Sequence, residues 1–273
     1  MSVFPDGPKT KSRAEVRVVH SQVAGKSVLH TAYAESPLAL TCPRNHGTAA
    51  WVYPSVLGPG MLDGDRHVYT FDVAEDAACY VGSVGIARAF AGETKLEVSA
   101  KVARGGLLVF APEPLTGAVS ADLVQDARFS LALGASLIVV DAVTEGRPAA
   151  GEKWRFSRLR TRLSVFVDET LVLEEASDLA PGTRDVAGHF GEYGAFAFAF
   201  ALGPRARHVR DAWLAAKPLG NGELLRVASP FGEDGATLRI AAKNAHALAA
   251  EMPFLLGNLD ETLGDDPRSR RSW

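Results

Sequence analysis

The chain is short of the residues that build metal centres and covalent frameworks. It has only two cysteines, Cys42 and Cys79, in 273 residues. A secreted disulfide framework uses more, so both thiols are expected to be reduced and buried in a cytoplasmic protein. C-x-x-C and C-x-x-H spacings are absent, which argues against a closed zinc site. The seven histidines (His20, His30, His46, His67, His189, His208 and His246) are scattered, no two closer than 10 residues. No HExxH or HxH pattern places two of them on one face. Positive charge is also lacking. Lys and Arg number 29 against 32 Asp and Glu, a net charge of −3, and the isoelectric point near 6.2 is not that of a nucleic-acid binder. Long apolar runs are missing too. The two most apolar stretches, 129–140 and 193–204, fall short of the roughly 20 residues that a membrane-spanning helix needs. The polar N-terminus lacks the apolar centre of a signal peptide.

Enzyme signatures are equally thin. The densest glycine cluster, Gly58-Pro59-Gly60-Met61-Leu62-Asp63-Gly64-Asp65, has no lysine for a P-loop. A strand pattern follows it rather than a helix, so a dinucleotide-binding turn is excluded. The nearest approach to a serine-hydrolase elbow, Gly82-Ser83-Val84-Gly85, is one residue short.

What the chain has in abundance is alternation with a period of two. His67, Tyr69, Phe71 and Val73 share one face of 66–73, and Leu96, Val98, Ala100 and Val102 share one face of 94–102. Leu163, Val165 and Val167 repeat the pattern, the mark of half-buried strands. Turn signals punctuate the chain throughout, among them Gly105-Gly106, Pro181-Gly182, Asn221-Gly222 and Asp234-Gly235. Asp168-Glu169 reads as a two-residue hairpin turn. Helical patterns are few. Asn244 is placed to cap a helix over about 244–252 that Pro253 would end, and 203–217 is compatible with a second. We find no internal repeat. The reading is a mainly β protein: one domain of stacked or sandwiched sheets with a few helices toward the C-terminus. Its expected bounds are a flexible segment at 1–13, the β-rich domain at 14–258 and a polar tail at 259–273. Phe196, Phe198 and Phe200 alternate with alanines, a pattern that would promote aggregation if that strand lay at a sheet edge.

Three groups of residues are candidates for chemistry. Asp63 and Asp65 can offer oxygen ligands to a metal, or cap a turn. His46 and His67 flank that loop and with the aspartates could form a hydrolytic metal site. Asp141, Glu145, Arg147 and Glu152 crowd a glycine-containing stretch. They fit an acid–base pair, an ion-pair network around Arg147, or the polar lining of a passage. In the network reading Arg147 organises the 145–152 turn.

Read in order, these segments resemble the UreD/UreH family of urease accessory proteins. The early Ser36-Pro37-Leu38-Ala39-Leu40 is similar to the family's first strand. Gly60-Met61-Leu62-Asp63-Gly64-Asp65 resembles its glycine-rich loop, with Gly64 and Asp65 as motif residues. Pro112-Glu113-Pro114 matches its Pro-Glu-Pro segment. Gly146-Arg147 followed by Gly151-Glu152 is the most specific signal, and Gly222 to Val227 also fits. The likeness runs from about residue 14 to 256. Two stretches depart from it. Asp63-Gly64 stands where the family has paired glycines, and the stretch 79–88 lacks its Thr-Thr pair, which makes this a divergent member.

The resemblance implies a role in urease maturation without catalysis by the chain itself. It implies a complex with the helical accessory protein UreF, the GTPase UreG and apo-urease, inserting nickel as GTP is hydrolysed. It also implies that nickel is a cargo in transit, with no cofactor tightly bound. Asp63, Asp65, Asp141, Glu145 and Glu152 are the weak transit candidates. Two alternatives stay open: a metal-dependent hydrolase using His46, His67, Asp63 and Asp65, and a β-sandwich module for a small ligand.

Overall fold

The computed structural model describes residues 11–44, 47–257 and 259–268. About 53% is strand and 14% helix, as the period-two patterning demands. A seven-stranded and an eleven-stranded sheet carry the fold.

The chain enters the first sheet through the hairpin β1 (Lys11–Ser21) and β2 (Lys26–Ala34), then crosses to the second through β3 (Leu38–Thr41) and β4 (Ala50–Val56). From there it alternates. β5 (Arg66–Val73) returns to the first sheet beside β1, and β6 (Ala78–Val81) joins β4 in the second. After the short β7 (Ala87–Ala89), β8 (Gly92–Val102) and β9 (Leu107–Phe110) repeat the move. After β10 (Leu115–Gly117), β11 (Ala121–Leu131) and β12 (Ser136–Thr144) repeat it again. Each return lays a strand parallel to its predecessor, so the centre of the protein is a solenoid of β-coils rather than a stack of antiparallel hairpins.

The corners of these coils form a repeat that the sequence concealed. Ala74-Glu75-Asp76-Ala77, Ala103-Arg104-Gly105-Gly106 and Ala132-Leu133-Gly134-Ala135 recur every 29 residues. In each, the fourth residue's N–H donates to the carbonyl of the first. The third residue has positive φ: +56° at Asp76, +70° at Gly105 and +82° at Gly134. Each turn opens on alanine, but the third position shares only a conformational requirement, which aspartate meets as glycine does, so residue identity shows little repetition.

Past the coils, the minimal hairpin β13 (Gly146–Arg147) and β14 (Glu152–Lys153) leads to β15 (Arg158–Val167) and β16 (Thr170–Leu179) at the edge of the first sheet. Asp168 and Glu169 make the two-residue turn expected there, both with positive φ. Helix α1 (Val186–Phe190) precedes β17 (Ala195–Leu202), which runs antiparallel to β12. Then follow α2 (Arg207–Ala215), the strands β18 (Leu219–Gly220), β19 (Leu224–Phe231) and β20 (Gly235–Ala242), and helices α3 (Ala245–Ala250), α4 (Met252–Leu256) and α5 (Leu259–Leu263).

Two cores result. Between the sheets, Val16, Phe71, Phe129 and Val165 meet Val52, Leu108, Val139 and Phe200. The other face of the second sheet packs on the helices, where Ile138, Val140 and the β17 alanines meet Val209, Trp213, Leu248 and Leu255. Burial on both faces explains the apolar runs of β9 and β17 and of residues 137–140 in β12. β17 is thus an interior strand between β12 and β20. Its phenylalanine face is not a sheet edge, and its alanines give the helices close approach.

Three boundaries shift from expectation. Pro253 opens α4 instead of ending the preceding helix, because the first turn of a helix needs no N–H there. Asn244 caps α3 as expected, its Oδ1 accepting the Ala247 N–H at 2.9 Å. Residues 259–268, expected to be a polar tail, are docked: Leu259 and Leu263 are buried, Leu263 O accepts the Thr48 N–H at 2.7 Å, and Pro267 O accepts the Tyr53 hydroxyl. At the other end, residues 11–13 already belong to β1 with Ser12 buried; residues 1–10 and 269–273 lie outside the described residues. No helix among the described residues is long and apolar enough to cross a membrane.

Candidate functional site

The inward face of the first sheet carries one polar row in an apolar field. Strand registers align Ser12, His67, Leu96, Gln125, Thr161 and Ser177 across β1, β5, β8, β11, β15 and β16. The next row inward is Ala14, Tyr69, Val98, Ala127 and Leu163, and the one after is wholly apolar. Ser12, His67, Gln125 and Thr161 are buried, and Thr161 Oγ1 lies 2.9 Å from Ser177 Oγ. Opposite this row, β12 turns Leu137 and Val139 to the inter-sheet core. Two residues on, at Asp141, the same face brings a carboxylate to Gln125, whose Nε2–H donates to Asp141 Oδ1 at 2.8 Å.

Two cavities share the Asp141 member of this pair. The first, of about 320 Å³, is largely apolar and holds His67, Tyr69, Phe110, Gln125 and Asp141 beneath the loops around Gly58–Met61 and Gly82–Arg88. The second, about 1030 Å³ and open, is lined by Asp141, Thr161, Glu175, Ser177, Phe198 and Arg239. Asp141 is the one described residue that lines both. It lies deep between the sheets yet keeps partial accessibility through these spaces. Burial raises its carboxyl above the usual range, against the lowering effect of the Gln125 hydrogen bond, and Glu175 adds to the rise. His67 is 1% exposed, and neither ring nitrogen has a hydrogen-bond partner among the described residues. Its Nε2 stands 3.9 Å from Asp65 Oδ2, beyond hydrogen-bond range. Burial lowers its pKa despite Asp65, which keeps the imidazole neutral at pH 7.

The other sequence candidates go elsewhere. Asp63 Oδ1 accepts the Glu93 N–H and Asp65 Oδ2 accepts the Leu62 N–H, both at 2.8 Å. They cap the turn that Gly64 completes, its N–H donating to Glu93 O. His46 lies outside the described residues. No group of three or more His, Cys, Asp or Glu placed to hold a metal ion occurs among the described residues. The Pro112-Glu113-Pro114 loop is tied to Ser83, whose Oγ accepts the Glu113 N–H at 2.8 Å and donates to Gly85 O; Pro112 and Glu113 also line the first cavity.

Asp141 belongs to a strand and stands apart from the 145–152 turn. In that turn Arg147 grips Glu152 through two parallel hydrogen bonds, the Nε–Oε2 one at 2.6 Å. Glu152 also accepts the Val119 N–H, and Arg147 holds its carboxyl below the usual range. Glu145, expected as a second partner of Arg147, pairs instead with Lys153, Nζ to Oε2 at 2.9 Å but off the hydrogen-bond direction. Gly146 has φ of +110°, and a β-carbon there would lie 2.4 Å from Glu152 O, so the motif glycine lets the two arms of β13–β14 touch. Gly151, with φ of +72°, closes the turn between them. The Arg147 side chain is 34% exposed, so this pair is less costly to break than a buried one. Arg147→Ala is expected to loosen the turn and speed amide exchange at Trp154, whose N–H donates to Glu145 O, with only a small fall in melting temperature. A collapse in stability equal to that of a core mutant would contradict this.

Sequence reading missed Gln125, Thr161, Ser177 and Glu175. The signal was there: Gln125 interrupts the inward series Ala121, Leu123, Ala127, Phe129, Leu131. It becomes meaningful only when the registers align it with His67 and Thr161.

The family model described as UreD urease accessory protein matches residues 12–273. The chain belongs to the UreD family. It is 36% identical over 93% of its length to a urease accessory protein UreD of Sorangium cellulosum, covering 83% of that protein. A protein of the same name from Anaeromyxobacter is 32% identical, over 93% of this chain and 88% of its own. A urease accessory protein D of Oryza sativa is 28% identical over 70% of the chain and 65% of its own. Membership agrees with the residues quoted above: the family motifs Gly64-Asp65, Pro112-Glu113-Pro114 and Gly146-Arg147 fall at one side of the coils, just before β5, between β9 and β10, and in the β13–β14 hairpin.

Proposed function

We propose that this chain is a non-catalytic scaffold for urease maturation that carries nickel through its interior, in a complex with the helical protein UreF, the GTPase UreG and apo-urease. The observation that carries the reading is the junction at Asp141: two cavities that share one carboxylate, flanked by a row of uncharged polar residues. Such a row suits transit. His67, Gln125, Thr161 and Ser177 offer neutral donors, each a shallow well, and a divalent ion that must leave should meet no deep one. Family membership supports the role, and the residue types support the ion: imidazole and carboxylate accept nickel without the multi-thiolate grip of a storage site.

The test is urease produced in cells with and without this chain, purified and assayed for nickel content and activity, alongside co-purification of UreF and UreG with the tagged chain. Low nickel content restored by the chain, with both partners retained, is the expected result. Urease that fills with nickel equally well without it would overturn the proposal. The apolar wall of the first cavity favours a second reading, a module for a small apolar ligand. That reading expects a bound organic molecule in the purified chain by mass spectrometry and no dependence of urease on it.

A further inference from the structure

The carboxylates drawn into this protein are held in two different ways. Glu97 pairs with Arg66 and Lys95, Glu145 with Lys153, and Glu152 with Arg147. At the mouth of the second cavity Glu175 pairs with Arg239. Each of these negative charges is cancelled by a neighbouring cation. Asp141 is held by an amide: its Oδ1 accepts a hydrogen bond from Gln125 Nε2–H at 2.8 Å. A glutamine orients a carboxylate by one hydrogen bond but leaves its charge in place, whereas a lysine or arginine in the same position would neutralise it. Gln125 is itself buried, on the rigid strand β11, between β8 and β15. Its amide is therefore fixed by the sheet and is not a mobile surface group.

Resting on the transit reading above, we propose that Gln125 is a positioning residue for ion passage: it fixes the Asp141 carboxylate at the junction of the two cavities with its charge uncancelled. Oδ1 is occupied by the amide, which leaves Oδ2 for an ion arriving from either side. The arrangement gives one well of limited depth. One carboxylate oxygen in a partly dry space attracts a divalent cation, but a single ligand at a fixed point does not enclose it. The uncharged imidazole of His67, buried and without a partner among the described residues, lies in the first cavity, on the same row of the sheet as Gln125. That cavity thus has both an imidazole and a carboxylate in its lining, with strand β8 between His67 and Gln125 on the first sheet. Replacing the amide should alter binding and release in opposite senses according to charge, and that distinguishes a positioning role from a packing role.

The experiment uses the full chain with Ni²⁺ as probe. Calorimetry measures binding, urease activation in cells measures delivery, and thermal melting checks folding, for the wild type, D141N, Q125M, Q125K and Q125E. Methionine matches the shape of glutamine, so Q125M keeps the packing and removes the donor. It is expected to bind Ni²⁺ about tenfold more weakly, one decade in binding constant, and to activate poorly at an unchanged melting temperature. Q125K, which cancels the Asp141 charge, is expected to match D141N in losing binding and activation. Q125E, which adds a second carboxylate, is expected to bind more tightly yet activate less, because the ion leaves a deeper well more slowly. A packing role would move binding and activation together in every variant. If D141N loses both activities while Q125M and Q125K behave as wild type, the positioning role is overturned and the passage survives. If D141N binds and activates as wild type, the passage reading itself falls.

Discussion

Asp141→Asn is expected to abolish nickel delivery to urease while leaving the protein as stable as the wild type or more so. Asparagine keeps the shape and can still accept the Gln125 hydrogen bond through its own oxygen, so the β11–β12 contact persists. What disappears is a carboxylate that the fold does not favour in its ionised form. Burial raises the pKa of Asp141. A group whose folded pKa lies above its unfolded value binds the proton more tightly when folded. Its stability contribution is therefore fully present below the unfolded pKa and is lost as pH rises through the folded one. Asparagine has no such loss. Melting temperatures of the two proteins should coincide in acid, where Asp141 is neutral, and the variant should move ahead of the wild type as pH rises above the ordinary aspartate range. Activity and stability then change in opposite directions, the signature of a group retained for function at some cost to the fold. Thermal melts across pH, with urease activation measured alongside, check both halves. A variant that melts lower than wild type at neutral pH would mean that Asp141 is a structural residue.

The largest effect on stability is expected from Trp213→Ala. Trp213 is fully buried. It rises from α2 onto the alanine face of the second sheet and reaches across to α4, where its Nε1–H donates to Phe254 O at 3.3 Å. Truncating a buried tryptophan costs about 3–5 kcal/mol. That is a large share of the roughly 5–15 kcal/mol that holds a typical protein folded. The helices would loosen and bare the face of β17 made by Ala195, Ala197, Ala199 and Ala201. The apolar composition of this strand thus becomes a hazard through loss of its helical cover, not through an exposed sheet edge. Chemical denaturation should show the loss, and light scattering should show association in the variant. Leu214→Ala on the exposed side of the same helix, at 40% exposure, serves as the control and should change stability by about 0.5 kcal/mol or less. Equal losses in the two variants would show that Trp213 contributes no more to the packing of α2 than the half-exposed Leu214 does.

These two residues also mark how far the sequence could be read. By itself the sequence determined that the protein is mainly β and where several of its elements lie. Period-two alternation placed β5, β8 and β15, Asn244 announced α3, and Asp168-Glu169 the last hairpin of the first sheet. Those are local properties: side-chain direction alternates along a strand, and a cap or turn is chosen by a few adjacent residues. The ordered loop motifs placed the chain in its family. Tertiary structure alone decided the rest. Parallel coiling was hidden because its 29-residue period is marked by little more than one small alanine, at 74, 103 and 132, and one backbone conformation, shared by Asp76, Gly105 and Gly134. The site was hidden for a related reason. Asp141 sat next to Glu145, Arg147 and Glu152 in sequence and was grouped with them, but strand pairing sends it inward and sends them to a turn where each carboxylate finds a cation. His67, Gln125, Thr161 and Ser177 are spread over more than a hundred residues. They form one row only because hydrogen-bonded registers between neighbouring strands fix which residues stand side by side.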